Sequence, residues 1–370
     1  MAAMSGMPSA PPTAAVLVPG QAGLGLAPPL PGMPPVLVPG DVYAADRPGD
    51  LSSVVRRDVP RVYVPNHSAS TVSVIDPASH KVIRTVPVPF GPEHVVPSWD
   101  LRTLWVNSDE GNALTPIAAA TGRFGKPIRV EDPYNLYFTP DGRFALIMAE
   151  ALHEIVFRDP HTMAVRHVLP VPCAGINHAD FSANGRYFIA SCEFSGDLIK
   201  VDTLAQRVVA KIHLPAKRSM PQDVKVSPDG MTFYVADMQH SGLWLIDGDA
   251  FTVRGFLPTG LGAHGLYVSR DSQRLFITNR GEGSISVLEF ATGRLIAKWW
   301  IPGGGSPDMG NVSADGKVLW LSGGYHDVVY AIDAHTGRLL ARIPVGLEPH
   351  GVCVWPQPGR YSLGHTGIMR

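Results

Sequence analysis

Arg61-Val62-Tyr63-Val64-Pro65-Asn66, then Thr71-Val72-Ser73-Val74-Ile75-Asp76, then Lys81-Val82-Ile83-Arg84-Thr85-Val86-Pro87-Val88 are three short alternating runs, each closed by a turn. Alternation at period two marks half-buried strands, and the turns between them make a meander. The same order of segments returns along the chain. Its clearest marker is a turn of the form Ser/Thr-x-Asp/Asn, often followed by Gly: Ser98-Trp99-Asp100, Thr139-Pro140-Asp141-Gly142, Ser182-Ala183-Asn184-Gly185, Ser227-Pro228-Asp229-Gly230, Ser269-Arg270-Asp271-Ser272 and Ser313-Ala314-Asp315-Gly316, with a degenerate copy at Trp355-Pro356-Gln357-Pro358-Gly359. The copies lie roughly 41–45 residues apart. Units of that length with four strands each cannot bury a face alone. Packed radially they form a β-propeller.

The strand before the marker turn is A and the strand after it is B. Strand C often ends in aspartate, as at Asp76, Asp159, Asp202, Asp247 and Asp333, and D leads to the next A. The first repeat begins at B (Arg61–Asn66) and the last ends at A (His350–Trp355). The C-terminal strand must therefore complete the N-terminal blade, closing the ring and removing a free sheet edge. The sequence predicts an all-β, seven-bladed propeller with four-stranded blades.

Val62-Tyr63-Val64-Pro65-Asn66 with Val72-Ser73-Val74-Ile75-Asp76, and Pro349-His350-Gly351-Val352, resemble the YVTN-repeat β-propeller family, including YncE-like proteins. The resemblance covers about residues 61–356. It implies the fold and leaves function open, because the family is functionally mixed. It suggests an extracytoplasmic location, although secreted members carry a signal before this point and this chain shows none. One departure is Leu114-Thr115-Pro116-Ile117, where the family has a clean strand C.

Lys and Arg number 31 against 32 Asp and Glu. That balance gives no electrostatic drive toward nucleic acid, even though some YncE-like proteins bind DNA. Residues 1–40 are rich in Ala, Pro, Gly and Leu, without charge; prolines at 19, 28, 29, 31, 34, 35 and 39 forbid a continuous helix. This stretch reads as a loose, dispensable leader, neither a membrane span nor an ordinary signal peptide. Residues 41–60 read as a strap on the propeller anchored by Val42 and Tyr43, 61–356 as the propeller, and 357–370 as a C-terminal tail. The chain is expected to be a monomer. Cys173, Cys192 and Cys353 have no zinc-ribbon spacing. Cys173 and Cys192 fall in one blade and could approach each other; buried free thiols are the preferred reading.

In a propeller the D-to-A and B-to-C loops share one face, the top, where ligands gather at the channel mouth. The starts of the A strands carry His94, Asn135, His178, Asp223, His264, Asp308 and His350. Consecutive histidines in this set are two repeats apart. Imidazoles with carboxylates at one end of inner strands are a donor set for zinc, copper or iron. The same residues could merely plug the channel with hydrogen bonds. There is also a register conflict. His94 and His178 lie four residues before their marker, whereas His264, Asp308 and His350 lie five before, so regular strands would point them to opposite sides. The B-to-C loops add Glu150, His153, Glu193, His240, Arg280 and His326 on the same face, with Arg280 suited to clamp a carboxylate.

No Gly-x-Ser-x-Gly elbow, P-loop or HExxH motif is present. Two functions remain. One is a binding or scaffold protein with a His/Asp-lined pocket for a small molecule or protein on the top face. The alternative is an enzyme with a divalent or transition metal held by His94, His178, His264 and His350. Four histidines on a propeller axis are similar to the carotenoid-cleaving oxygenases, whose motifs are missing here; a lyase or lactonase is another version.

Overall fold

The computed structural model describes Val16–Leu17 and residues 25–370. It is all-β, and among the described residues no helix is long and apolar enough to cross a membrane. Seven antiparallel sheets form the seven blades. In the first, Arg61–Asn66, Thr71–Asp76 and Lys81–Pro87 are joined by Cys353–Trp355, with Arg61 opposite Trp355 and Tyr63 opposite Cys353. The ring therefore closes as the displaced A strand requires.

The marker turns explain the blades' uniform geometry. The hydroxyl at the first position donates to the side-chain oxygen of the Asp or Asn two residues on, at 2.7 Å for Ser98–Asp100 and 2.6 Å for Thr139–Asp141. That oxygen then accepts the N–H of the residue two further along, as at Arg102 and Arg143. The residue between is left-handed, which is why it is glycine at 142, 185, 230 and 316.

Blade two departs where the sequence does. Its C strand, Ala113–Ala118, contains Pro116, which has no N–H to donate. The outer strand is split into Arg123–Phe124 and Ile128–Arg129, with Gly125 N–H bonded to Pro116 O across the break.

The A strands are the inner strands, and six of them are buried along their whole length: Asn135–Phe138, Ile176–Phe181, Pro221–Val226, Ala263–Val268, Pro307–Val312 and Cys353–Trp355. What buries their lower halves is residues 357–370. This segment was read from the sequence only as a tail. It instead folds back on itself inside the channel, with Ser362 bridged to Met369 and Leu363 N–H bonded to Ile368 O. Tyr361, Leu363, Ile368 and Met369 are buried, and the Arg370 guanidinium bonds Asp180 Oδ1 at 2.8 Å beneath the Tyr43 ring. Gly364 pairs with Tyr137, and a Cβ there would lie 2.4 Å from Leu136 O, so the turn admits only glycine at that point.

Residues 41–60 lie across the same lower end, against the marker turns, with Val42 N–H bonded to Pro228 O and Gly49 N–H to Ala314 O. Tyr43 is buried with its hydroxyl donating to Val226 O, and Asp46 is paired with Arg270. Of the stretch expected to be a leader, Val16–Leu17 pairs with Ala210–Lys211 at the edge of the fourth blade. Leu30 is buried against the chain, its N–H bonded to Asn184 O. The rest of residues 1–24 lies outside the described residues.

The cysteine expectation is corrected. Cys173 and Cys192 form a disulfide with Cα atoms 6.0 Å apart. They sit at the two ends of a top-face loop pair in one blade, close enough to bridge. Cys353 is a buried free thiol.

Candidate functional site

The register conflict between the inner-strand residues is resolved by β-bulges. The A–B ladder skips from Ile176 to Ala179, from Pro221 to Val224, from Ala263 to Leu266 and from Pro307 to Gly310. His178, Asp223, His264 and Asp308 all fall inside those unpaired steps. In blade two the slip is shorter, between Pro92 and His94, leaving Glu93 unpaired. A bulge re-aims its side chain out of the strand's alternation. The bulges bring His178, Asp223, His264 and Asp308 into the channel; Asn135 and His94, paired in their ladders, and His350, outside any strand, reach it without one, and the seven lie at two depths.

At the mouth is an open cavity of about 280 Å³ lined by residues that include His67, Glu93, Tyr134, Glu193, His264, Arg280, Asp308, Tyr325 and His350. Two carboxylate–imidazole contacts organise it. His264 Nδ1 lies 2.8 Å from Asp308 Oδ1, and His350 Nδ1 lies 2.8 Å from Glu93 Oε2. Glu93 also meets His67 at 3.2 Å. Arg280 ties the wall together. Its Nη1 is 3.3 Å from Asp308 Oδ2 and donates to His264 Nε2 at 3.2 Å, while Nε donates to the Tyr325 hydroxyl at 2.9 Å. Arg280, expected to clamp a ligand carboxylate, is thus largely engaged within the protein.

Charge at the mouth follows from these contacts. Burial opposes the charge of His350, but Glu93 outweighs it and raises the imidazole to about 9. Burial likewise opposes the Glu93 carboxylate, and His350 overcomes it, lowering the group to about 2. Asp308 is held far below the usual carboxylate range: Arg280 and His264 outweigh the burial that opposes its charge. Both cations are therefore matched by carboxylates. Glu150 is different. Burial, then the charge of Glu193, pushes it up to about 9, so it is a neutral acid near pH 7.

Below the mouth lie His94 and His178, fully buried, and between them His365 from the C-terminal segment. Ring centroids are 5.8 Å apart for His94–His178, 5.1 Å for His94–His365 and 4.9 Å for His178–His365. Tyr134 packs edge-on over His94 and His178. Asn135 bonds His365 Nδ1 at 3.1 Å, and Asp223 Oδ2 lies 3.9 Å from His365 Nε2.

The expected rim divides. Glu193 and Arg280 line the cavity. His240 bonds Lys217 O and His326 bonds Ser306 Oγ outside the cavity lining, and His153 is exposed in a turn. The residues that sequence reasoning missed are Glu93, Tyr134, Tyr325 and His365. Glu93 is adjacent to a flagged histidine in the strand that carries it. His365 had one available signal, its place between Gly364 and Gly367 in an otherwise featureless tail.

The profile of the YNCE-like beta-propeller family matches residues 32–358. No curated protein matches the sequence. Among solved structures the chain is similar to Kuenenia stuttgartiensis hydrazine synthase, with a TM-score of 0.63 and 20% identity over 78% of this chain and 97% of that one. It is also similar to a functionally unknown protein of Desulfotomaculum acetoxidans, with a TM-score of 0.66 and 14% identity over 80% and 98%. Virginiamycin B lyase from Staphylococcus aureus gives 0.59 and 15% over 71% and 88%. At these identities the likeness is one of fold alone. The bladed architecture, the ring closure and the family match together make this chain a member of the YNCE-like β-propeller family.

Proposed function

We propose that this propeller is a binding protein that takes a small, polar, neutral or zwitterionic ligand in the cavity at the channel mouth. The observation that carries this is the 280 Å³ polar cavity, near the lower end of ordinary small-molecule sites. Its two cations, Arg280 and His350, are already matched by Asp308 and Glu93. A net anion would have to displace a carboxylate from each. A ligand with its own donors and acceptors can add hydrogen bonds without breaking the pairs. Tyr134 and Tyr325 supply flat walls for its apolar part.

The competing reading is a metal-dependent enzyme at the mouth. It is favoured by three donor groups, His264–Asp308–His350, Glu93–His94–His350 and His67–Glu93–Asp109, the ligand atoms of each lying within 4.8 Å of one another. Against it, Arg280 Nη1 already occupies the lone pair of His264 Nε2 at 3.2 Å, and a cation there would face the guanidinium.

Thermal-shift and calorimetric screening of the full-length protein against amino acids, sugars and short polar metabolites tests the proposal. A ligand that binds the wild type and is lost in Arg280→Ala and Glu93→Gln supports it. A flat response to the whole panel, or binding unaffected by both variants, contradicts it.

A further inference from the structure

Beneath the mouth, and separate from its cavity lining, His94, His178 and His365 place ring nitrogens within 4.8 Å of one another in a fully buried volume. Four of their six ring nitrogens have no hydrogen-bond partner: His94 Nε2, both nitrogens of His178, and His365 Nε2. An orphaned buried polar atom costs about 1–3 kcal/mol. One nitrogen from each of the three rings can meet the others within 4.8 Å, which makes a poor plug and a good donor set. The chemistry of the partnered nitrogens agrees. His94 Nδ1 faces Tyr134 O at 3.0 Å, so that nitrogen carries the ring proton and Nε2 presents a lone pair inward. A metal-ligating histidine characteristically donates its other N–H to such a carbonyl.

We propose that His94, His178 and His365 form a structural binding site for one first-row transition-metal ion, of the zinc or copper class, delivered into the channel by the C-terminal segment. Three neutral imidazoles without thiolate suit those ions over magnesium or calcium, which want oxygen. Asp223 supplies nearby negative charge; its Oδ1 is also unpartnered. Ligation through His365 Nε2 places that ring's proton on Nδ1, and a half-turn of the Asn135 amide lets its Oδ1 accept it, at the cost of the bond that Oδ1 accepts from Leu136 N–H. The site has a second consequence. Two ligands come from blades two and four and the third from the segment that follows the ring-closing strand Cys353–Trp355. The ion therefore pins residues 357–370 in place, and metal affinity becomes stability of the closed ring. Tyr134 above and the C-terminal segment below enclose the site, so the ion is taken up during folding and exchanges slowly.

The test is to express the full-length protein in cobalt-supplemented medium and record metal content and the visible spectrum. The expected result is about one equivalent of Co²⁺ with the ligand-field bands and intensity of a low-coordinate nitrogen site. His178→Gln and His365→Gln should each reduce bound cobalt at least tenfold, while His264→Gln at the mouth retains it. Wild-type protein without stoichiometric cobalt overturns the proposal, as does full retention in both channel variants. If those variants fail to fold, the wild-type spectrum decides alone: low-coordinate bands support the site and their absence refutes it. The mouth reading is untouched by either outcome, because its readout is ligand binding in Arg280→Ala.

Discussion

The channel mouth and the histidine trio beneath it contain the same residue types and differ in how those residues are satisfied. At the mouth each imidazole lies against a carboxylate, and Arg280 bonds both members of one pair. Beneath, the imidazoles face one another, with only His94 Nδ1 and His365 Nδ1 bonded to protein. Burial first, and then the neighbouring imidazoles, keep them uncharged: together they push His178 and His365 well below their ordinary range, and burial with the His350 charge pushes His94 to about 3. Histidine with a carboxylate makes a self-contained polar wall. Histidine with histidine makes a donor set.

The largest expected effect breaks both regions at once. Removing residues 357–370 takes out Tyr361, Leu363, Ile368 and Met369 and leaves Asp180 without Arg370. Each buried apolar anchor is worth about 1.5–3 kcal/mol, so the loss should exceed about 5 kcal/mol. Denaturant melts of the truncated and full chains check this; equal midpoints would mean the segment does not fill the channel in solution. Extending the deletion back to residue 350 should open the ring and prevent a cooperative transition altogether.

Arg280→Ala should come next, and it acts on the mouth alone. It leaves Asp308 facing His264 without its guanidinium, at a cost of about 2–3 kcal/mol after allowing for partial exposure. Cavity-ligand binding should disappear while any metal in the trio stays. Loss of both would show that the two regions are one site.

Glu150→Gln has the smaller and opposite effect. The folded-state pKa of Glu150 is raised to about 9, so the unfolded chain releases this proton first and stability falls as pH rises from the ordinary carboxylate range toward 9. Glutamine removes the penalty. The variant should be more stable by about 1–3 kcal/mol at pH 8 and no different at pH 4. Melts at the two pH values check this, and equal gains at both would assign the effect to packing instead of charge.

The fold was legible because its determinants are local. A Ser/Thr-x-Asp/Asn-Gly turn carries its own hydrogen bonds, as Thr139 and Asp141 show, and repetition multiplied the signal. The displaced A strand, and with it the closure, followed from order alone. The site was only half legible. The inner-strand histidines and aspartates were found from their phase in the repeat, but their register looked wrong, because a bulge such as Ile176–Ala179 leaves no local signature. His365 was invisible because its segment has no periodicity; it is ordered by what it touches, Leu136, Tyr137 and Asn311, across the channel. Arg280 was read as free to clamp a ligand since nothing in the sequence announces that Tyr325 and Asp308 hold it. The Cys173–Cys192 pairing depended on two loop ends meeting in space.

The most direct test of the division between mouth and trio is an anomalous difference map from crystals of the full-length protein grown with zinc, measured at the zinc absorption edge. The account predicts one strong peak enclosed by His94, His178 and His365 and none among His264, Asp308 and His350. A peak at the mouth with the trio empty would contradict it.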